Sequence, residues 1–186
     1  MQIRQVLVVV VLSTILPNLC GAQDDTNGYL IKPGDVLEIS VWGEEELQGD
    51  ALVTPDGTFA FPLVGHLNAR GKTAAELQEL VKERLVRYFA DPVVTVSLQQ
   101  INGNTIYVIG QVNNPGEFVM NRSIDVMQAL SMAGGTTTFA SLNDILILRR
   151  RVADQIALPF RYSDVIRGRR LEQNIRLESG DVVVVP

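Results

Sequence analysis

Two carboxylates at equivalent positions are the first candidates for chemistry in this chain. Asp35 follows Lys32-Pro33-Gly34, Asp181 follows Glu178-Ser179-Gly180, and an apolar stretch comes after each aspartate. A pair of carboxylates can act as the acid and the nucleophile or base of a hydrolase. An aspartate in a turn more often accepts hydrogen bonds from its own nearby backbone. We therefore predict turn-forming roles for both aspartates and keep the paired-carboxylate hydrolase as the alternative.

Other catalytic groups are scarce. His66 is the only histidine and Cys20 is the only cysteine. Histidine-based nucleophilic catalysis and zinc binding both need partner residues that this chain lacks. The Gly134-Gly135 pair lacks the Lys-Ser/Thr dipeptide of a phosphate-binding loop and is typical of a helix end. We therefore predict no catalytic residue, no cofactor and no metal site.

Three aromatic side chains, Trp42, Phe59 and Phe61, offer flat faces on which a sugar ring could stack. Trp42 and Phe59 lie within strand patterns, and large aromatic side chains in such positions mostly pack into a core. We predict core packing for these rings and keep stacking on a sugar as the alternative.

Charge is unevenly distributed along the 186 residues, whose formal net charge is −5. A negative net charge argues against nucleic-acid binding. Residues 23–66 hold nine acidic residues and one basic residue, whereas residues 146–176 hold eight arginines and three acidic residues. These stretches could be two solvated faces, complementary surfaces for head-to-tail subunit contacts that close into a ring, or a binding surface for an anionic polymer. The candidate contact residues are Glu44, Glu45, Glu46, Arg149, Arg150 and Arg151.

The first 22 residues have the pattern of a secretory signal peptide. Arg4 precedes an apolar run from Val6 to Leu16 that is too short to span a bilayer. Cys20-Gly21-Ala22 then offers small residues for cleavage before Gln23. The alternatives are an uncleaved anchor and lipidation of Cys20, although the two residues before this cysteine are not small. A cleaved chain would contain no cysteine and therefore no internal disulfide.

After a polar linker at 23–28, residues 29–101 are predicted to form a first domain. Period-two alternation and turn residues indicate its strands, and Thr73 with Glu76 forms a capping box at the start of its helix. The predicted elements, in order, are a strand in which Leu37, Ile39 and Val41 are apolar, an acidic loop over 44–50, a hairpin that turns at Pro55-Asp56-Gly57 into a strand at 58–63, a helix from Thr73 to Phe89, and a strand at 93–98.

Residues 102–186 are predicted to form a second domain. The predicted elements, in order, are a strand at 106–109, a turn at 113–116, a returning strand at 117–120, a short helix capped by Ser123 and closed by Gly134-Gly135, a buried strand at 145–148, a polar turn or helix at 164–170, and a terminal strand after Gly180-Asp181. Sheets with helices laid on them in separate units indicate an α+β fold rather than a doubly wound one.

Both parts of the chain resemble the bacterial polysaccharide export family, over nearly all of the sequence after the leader. The family's export domain is similar to Tyr29-Leu30-Ile31-Lys32-Pro33-Gly34-Asp35-Val36-Leu37-Glu38-Ile39-Ser40-Val41-Trp42 and to Val53-Thr54-Pro55-Asp56-Gly57-Thr58-Phe59. Its soluble-ligand-binding β-grasp domain is similar to Val108-Ile109-Gly110-Gln111-Val112-Asn113-Asn114-Pro115-Gly116-Glu117-Phe118 and to Met127-Gln128-Ala129-Leu130-Ser131-Met132-Ala133-Gly134-Gly135. The resemblance implies a small β-rich export domain followed by a β-grasp-like domain.

The resemblance also implies a non-enzymatic role in the export of a capsule polysaccharide or exopolysaccharide across the periplasm and the outer membrane. The implied partners are further copies of the chain in a homo-oligomeric ring, the polysaccharide, and an inner-membrane polysaccharide copolymerase. One alternative is a monomeric periplasmic module that binds a saccharide without conducting it. Another is a carbohydrate-cleaving enzyme that uses Asp35 and Asp181.

The chain departs from the family pattern at its end. Family members that cross the outer membrane themselves carry a further domain and a C-terminal amphipathic helix, whereas this sequence stops at Val182-Val183-Val184-Val185-Pro186. Four apolar residues are too few to span a bilayer. We therefore expect either a separate protein that supplies the outer-membrane pore or a role as a periplasmic ring.

Overall fold

The computed structural model describes residues 28–151 and 153–186. The predicted signal peptide, with Cys20, lies outside these residues, as does most of the predicted linker. Within the described residues, buried side chains form two separate hydrophobic clusters, one from Ile31 to Val96 and the other from Ile106 to Val185. We refer to the parts of the chain around these clusters as the first unit and the second unit.

Strands and helices occur in both units. The elements of the first unit are β1 (Val36–Val41), β2 (Glu44–Leu52), β3 (Thr58–Phe61), β4 (Gly65–Asn68), α1 (Ala74–Leu85) and β5 (Val94–Gln100). The elements of the second unit are β6 (Thr105–Gly110), β7 (Gly116–Val119), α2 (Val126–Met132), β8 (Ile145–Arg150), β9 (Gln155–Phe160), α3 (Tyr162–Val165) and β10 (Val182–Val185). This architecture confirms the predicted α+β class.

The first unit centres on β1, which pairs antiparallel with β2 on one side and with β5 on the other. Leu37 and Ile39 of β1 are fully buried, as the alternation in the sequence predicts. Helix α1 packs on β5 and buries Leu77, Val81 and Leu85 along one stripe. The apolar stripe of the helix and the inner face of the sheet therefore share one core.

Helix α1 begins as predicted and ends earlier than predicted. The Thr73 hydroxyl accepts a hydrogen bond from the Glu76 N–H at 3.2 Å, and the Glu76 carboxylate accepts one from the Thr73 N–H at 2.7 Å. The predicted end at Phe89 is wrong, because the helix stops at Leu85. Val86 and Tyr88 just beyond the helix are exposed, whereas Phe89 packs against the first hydrophobic cluster without being helical.

The predicted acidic loop is also wrong, because these residues form strand β2. The strand pairs with β1 and buries Leu47 and Ala51, while Glu45, Glu46 and Asp50 are exposed. Pairing with β1 outweighed the low strand propensity of acidic residues, since the strand needs to bury only one of its two faces.

The predicted hairpin across Pro55-Asp56-Gly57, in which the strand at 58–63 pairs with the residues just before the turn, is wrong as well. Strand β3 pairs antiparallel with β4, and the hairpin between them turns through Leu63 and Gly65, which both have positive φ. The turn at Pro55-Asp56-Gly57 exists, because the Thr54 N–H donates to the carbonyl of Thr58 at 2.8 Å. A turn specifies only a local reversal of the chain, whereas strand pairing beyond it depends on how the faces pack.

The second unit contains a five-stranded sheet in the order β7-β6-β10-β8-β9. Strand β10 lies at its centre, parallel to β6 and antiparallel to β8, and its Val183 and Val185 are fully buried. A continuous apolar run is typical of such a central strand. Helix α2 contributes Ala129 and Leu130 to the same core, which gives the β-grasp-like arrangement.

Two features of the second unit differ from the prediction. The N-cap of α2 is Asp125 rather than Ser123, because Asp125 and Gln128 form a capping box with hydrogen bonds of 2.9 and 3.0 Å. The backbone at Asp125 is extended, with φ −104° and ψ 177°, so the helix begins only after this residue. Strand β9 was not predicted; it lies at the edge of the sheet, where its Pro159 is tolerated.

The end of α2 is confirmed. Gly134 and Gly135 have φ values of +75° and +80°, which favour glycine and stop the helix.

Across residues 28–151 and 153–186, no helix is both long enough and apolar enough to cross a membrane.

Candidate functional site

The two aspartates of the repeated turn have the same local role. Asp35 accepts a hydrogen bond from the Lys32 N–H at 2.8 Å, and Asp181 accepts one from the Glu178 N–H at 2.8 Å. Both carboxylates thus bind the backbone three residues earlier, and the glycine before each has positive φ. The turn-forming prediction is confirmed for Asp35 and Asp181.

Each turn aspartate also has partners outside its turn. Asp35 accepts hydrogen bonds from the Tyr29 hydroxyl and the Gly103 N–H, both at 2.8 Å. Asp181 accepts from Arg149, whose two guanidinium nitrogens lie 3.0 and 2.7 Å from its carboxylate oxygens. Both aspartates are essentially fully buried. This geometry gives neither of them the solvent-facing oxygen that a catalytic acid or nucleophile would use.

Burial and charge shift three ionisable groups near these turns. Burial first, and the hydrogen bond to Asp35 second, raise the pKa of the Tyr29 hydroxyl above its ordinary value. Burial lowers the pKa of the Lys32 ammonium, although the charges of Asp35 and Glu178 act in the opposite direction. The hydrogen bonds to Asp181 raise the pKa of the Arg149 guanidinium.

The two turns meet at the residue that joins the two units. Gly103 donates its N–H to Asp35 at 2.8 Å and accepts a hydrogen bond from the Ser179 hydroxyl at 2.8 Å. A side chain at Gly103 would place its Cβ 2.5 Å from the carbonyl oxygen of Pro33, so the close approach requires glycine. The repeat was visible in the sequence, but no local signal indicated that its two copies would be neighbours.

A cleft of about 530 Å³ opens at this junction. It draws on both units, and the residues lining it include Lys32, Asn104, Arg122, Ser123, Glu178 and Ser179. The Lys32 ammonium donates to the amide oxygen of Asn104 at 2.6 Å. Among the described residues, no cluster of histidine, cysteine, aspartate and glutamate is arranged to hold a metal ion.

The prediction that Trp42 packs in the core is wrong. Its side chain is 86% exposed at the tip of the β1–β2 hairpin, whereas Phe59 and Phe61 are buried as predicted. Val41 before it points inward, so the alternation of the strand turns Trp42 outward. A second cleft of about 440 Å³ lies beside Trp42, with Glu44 and other polar residues in its lining.

The six predicted contact residues lie on strands or directly after them. Glu44, Glu45 and Glu46 begin β2 beside Trp42, and Glu45 and Glu46 are exposed. Arg149 and Arg150 end β8, and Arg151 follows that strand.

The three arginines have different surroundings. The Arg149 side chain is 13% exposed and binds Asp181 and Glu178, so its charge is balanced inside the chain. Arg150 and Arg151 are exposed, and within the described residues their side chains form no hydrogen bond or ion pair.

The order of the two units along the chain agrees with two family matches. Residues 23–99 match the family described as polysaccharide biosynthesis/export protein, and residues 104–185 match the SLBB domain. The chain belongs to the polysaccharide export family.

Three relatives are similar over most of this chain. The capsule polysaccharide export outer membrane protein CtrA of Neisseria meningitidis serogroup A is 29% identical over 171 residues, which cover 82% of this chain and 43% of the relative. The polysialic acid transport protein KpsD of Escherichia coli is 30% identical over 161 residues, with 84% and 28% covered. The EPS I polysaccharide export outer membrane protein EpsA of Ralstonia nicotianae is 29% identical over 186 residues, with 84% and 47% covered. The chain therefore spans less than half the length of these curated relatives.

Proposed function

We propose that this protein is a non-enzymatic component of the export of a capsule polysaccharide or exopolysaccharide, acting in the periplasm at the outer membrane. The observation that carries the proposal is the order of two family domains in one chain, which three relatives named for polysaccharide export or transport share over most of its length. The two hydrophobic clusters support domain limits of 29–101 and 102–186. Residues 1–22 would be removed as a signal peptide.

The proposed protein acts as a head-to-tail homo-oligomer that closes into a ring. The acidic hairpin tip, which we define as Trp42, Glu44, Glu45 and Glu46, would contact Arg150 and Arg151 of the next copy. An exposed tryptophan beside acidic residues, facing exposed arginines that have no side-chain partner among residues 28–151 and 153–186, has the composition of an interface hot spot. Because the two surfaces differ, the contact is heterologous, and such contacts form rings when the rotation closes.

In this proposal Arg149 acts indirectly. Its bonds to Asp181 and Glu178 tie the end of β8 to the second Gly-Asp turn, and this holds the exposed Arg150 in place. The polymer would pass through the ring with weak polar contacts, because tight binding would stall a moving chain. An inner-membrane polysaccharide copolymerase would deliver the polymer to the ring.

Export is tested by deletion of the gene in its own host and measurement of polysaccharide at the cell surface and in the medium. We expect the polymer to disappear from the surface and to return when the wild-type gene is supplied. Normal surface polysaccharide in the deletion strain would overturn the export function.

The ring is tested by native mass spectrometry and electron microscopy of the purified protein. We expect Arg150→Glu with Arg151→Glu to dissociate the oligomer, and a further Glu44→Lys with Glu45→Lys to restore it by exchanging the charges. The control is Arg84→Glu with Arg87→Glu, which changes the net charge by the same amount. Arg84 lies in α1, Arg87 follows the helix, and both are exposed. A strictly monomeric wild-type protein with saturable affinity for a small sugar would favour the saccharide-binding module without conduction.

A further inference from the structure

The cleft at the junction of the two units lies apart from the proposed subunit contact, and its lining includes Lys32, Glu178 and Ser179 of the two turns. Its lining includes two basic side chains, Lys32 from the first unit and Arg122 from the second. The only acidic residue in its lining is Glu178, which accepts a hydrogen bond from Arg149 at 2.5 Å. The lining thus holds two basic side chains and one acidic side chain, and the charges of Glu178 and of the buried Asp35 both act on Lys32.

Within the part of the chain that the structure describes, the Lys32 ammonium has donor capacity that no hydrogen bond uses. An ammonium group has three N–H donors, and the hydrogen bond found for this group is the one to Asn104 at 2.6 Å. The nearby Asp35 carboxylate is occupied by Tyr29 and by the N–H groups of Lys32 and Gly103. Partial burial disfavours the charged form of Lys32, which an anion in the cleft would stabilise.

Arg122 is the second basic group of the cleft. It is exposed, and within the described residues its side chain forms no hydrogen bond or ion pair. The planar guanidinium group binds a carboxylate with two parallel hydrogen bonds, which a neutral hydroxyl cannot accept in the same geometry. Because both basic side chains line the same cleft, a carboxylate bound there would lie near groups from both units.

The rest of the lining fits the body of a sugar. Ser123 adds a hydroxyl group, the Ser179 hydroxyl donates to the Gly103 carbonyl and keeps its acceptor capacity, and the largely buried Met120 and Leu177 form an apolar part of the lining. The volume of about 530 Å³ lies within the range of small-molecule sites.

We propose that this cleft binds a sugar residue that carries a carboxylate, such as a uronic acid, with Lys32 and Arg122 as the carboxylate-binding groups. The inference rests on the proposed function in one respect, since the exported polymer would supply the acidic sugar. Because the ligand touches both units, its binding also stabilises their junction. The site is separate from the acidic hairpin tip and from Arg150 and Arg151.

The test is an NMR titration of the purified protein with glucuronate, glucose and acetate at constant ionic strength. We expect saturable shifts with glucuronate at residues of the cleft, and affinities for glucose and for acetate that are each lower by about tenfold or more, the factor for one lost charge-assisted hydrogen bond. Equal affinity for glucuronate and glucose would overturn the role of the carboxylate. Equal affinity for glucuronate and acetate would overturn the role of the sugar, and no binding of glucuronate would overturn the site.

Variants separate the site from general effects of charge. We expect Arg122→Gln and Lys32→Met each to weaken glucuronate binding by about tenfold or more, while Arg87→Gln, at an exposed position after α1, leaves it unchanged. Arg122 is exposed, so its variant keeps the fold even if the half-buried Lys32 proves necessary for folding. Unchanged affinity in Arg122→Gln would overturn its role. Failure of these titrations leaves the deletion experiment untouched, so the site and the export function can fail independently.

Discussion

At the scale of single residues, the buried carboxylates of this chain combine a local turn with a distant contact. Asp35 joins its own turn to Gly103, and Asp181 joins its turn to Arg149. Removing either carboxylate would leave several buried donors without partners, which costs more free energy than the hydrogen bonds contribute when formed. Their chemistry is structural because every favourable contact they make is already within the chain.

Asp181→Asn should lower the free energy of unfolding by about 3 kcal/mol, since it removes one partner of a largely buried ion pair with Arg149. Chemical denaturation measures this loss. Asp154→Asn is the matched control, because Asp154 is exposed and its replacement should change the free energy by less than about 0.5 kcal/mol. Equal denaturation midpoints for wild type and Asp181→Asn would contradict the importance of this ion pair.

Tyr29 should make the protein sensitive to alkaline pH. Burial and the hydrogen bond to Asp35 raise the pKa of its hydroxyl in the folded state above the ordinary value of 10.0. A group with a raised folded-state pKa contributes its full stability below the unfolded-state pKa, and this contribution is lost as the pH rises through the folded-state pKa.

We therefore expect the wild type to lose stability above about pH 10 more steeply than Tyr29→Phe, because the variant has no hydroxyl to ionise. Denaturation curves recorded at several pH values make the comparison, and Lys32 is present in both proteins. Parallel stability curves for the two proteins would be inconsistent with a raised pKa of Tyr29.

At the scale of elements, local signals located helices and strands better than they located strand partners. The capping box at Thr73 marked the start of α1, since a cap needs only residues within one turn. The partner of β3 was missed, because pairing with β4 is decided by packing across the first unit. The acidic composition of β2 concealed a strand that buries only Leu47 and Ala51.

Gly110→Ala should disrupt the pairing of β6 with the central strand β10. Gly110 has a φ of +95°, and an added Cβ would lie 2.0 Å from the carbonyl oxygen of Val185. Backbone strain and overpacking together should lower the free energy of unfolding by about 3 kcal/mol.

Gly135→Ala is the control for strain without crowding. Gly135 also has positive φ, but nothing lies within 4 Å of an added Cβ. We expect a loss of about 1 kcal/mol there. Thermal and chemical denaturation of both variants give the comparison, and equal losses would show that contact with Val185 has no part in the effect.

At the scale of the whole molecule, the two units meet through Gly103, between the first and the second Gly-Asp turn. The Asp35 carboxylate accepts a hydrogen bond from the Gly103 N–H, the Ser179 hydroxyl donates to the Gly103 carbonyl, and Lys32 reaches Asn104 beside it. These contacts restrain the angle between the units and shape the cleft between them. A ring built from such subunits would keep one geometry from copy to copy.

Gly103→Ala should loosen the junction while both units remain folded, because an added Cβ would lie 2.5 Å from the Pro33 carbonyl oxygen and 2.7 Å from the Lys32 Cβ. We expect small-angle scattering to show a larger radius of gyration and circular dichroism to show unchanged strand content. Gly116→Ala is the control, since nothing lies within 4 Å of its added Cβ. Identical scattering from wild type and Gly103→Ala would rule out the restraint.

The amino-acid sequence by itself determined the α+β class, the start of α1, the turn roles of Asp35 and Asp181, and the membership of the family. These features depend on residues a few positions apart, or on the order of such motifs along the chain. Only the tertiary structure decided that Trp42 is exposed and that Arg149 is paired internally. It also decided that Asp35 binds Gly103, which lies 68 positions away in the chain. The cleft opens at the junction that contains this contact. The physical reason is that burial and long-range pairing depend on which faces meet after folding, and no local pattern specifies that.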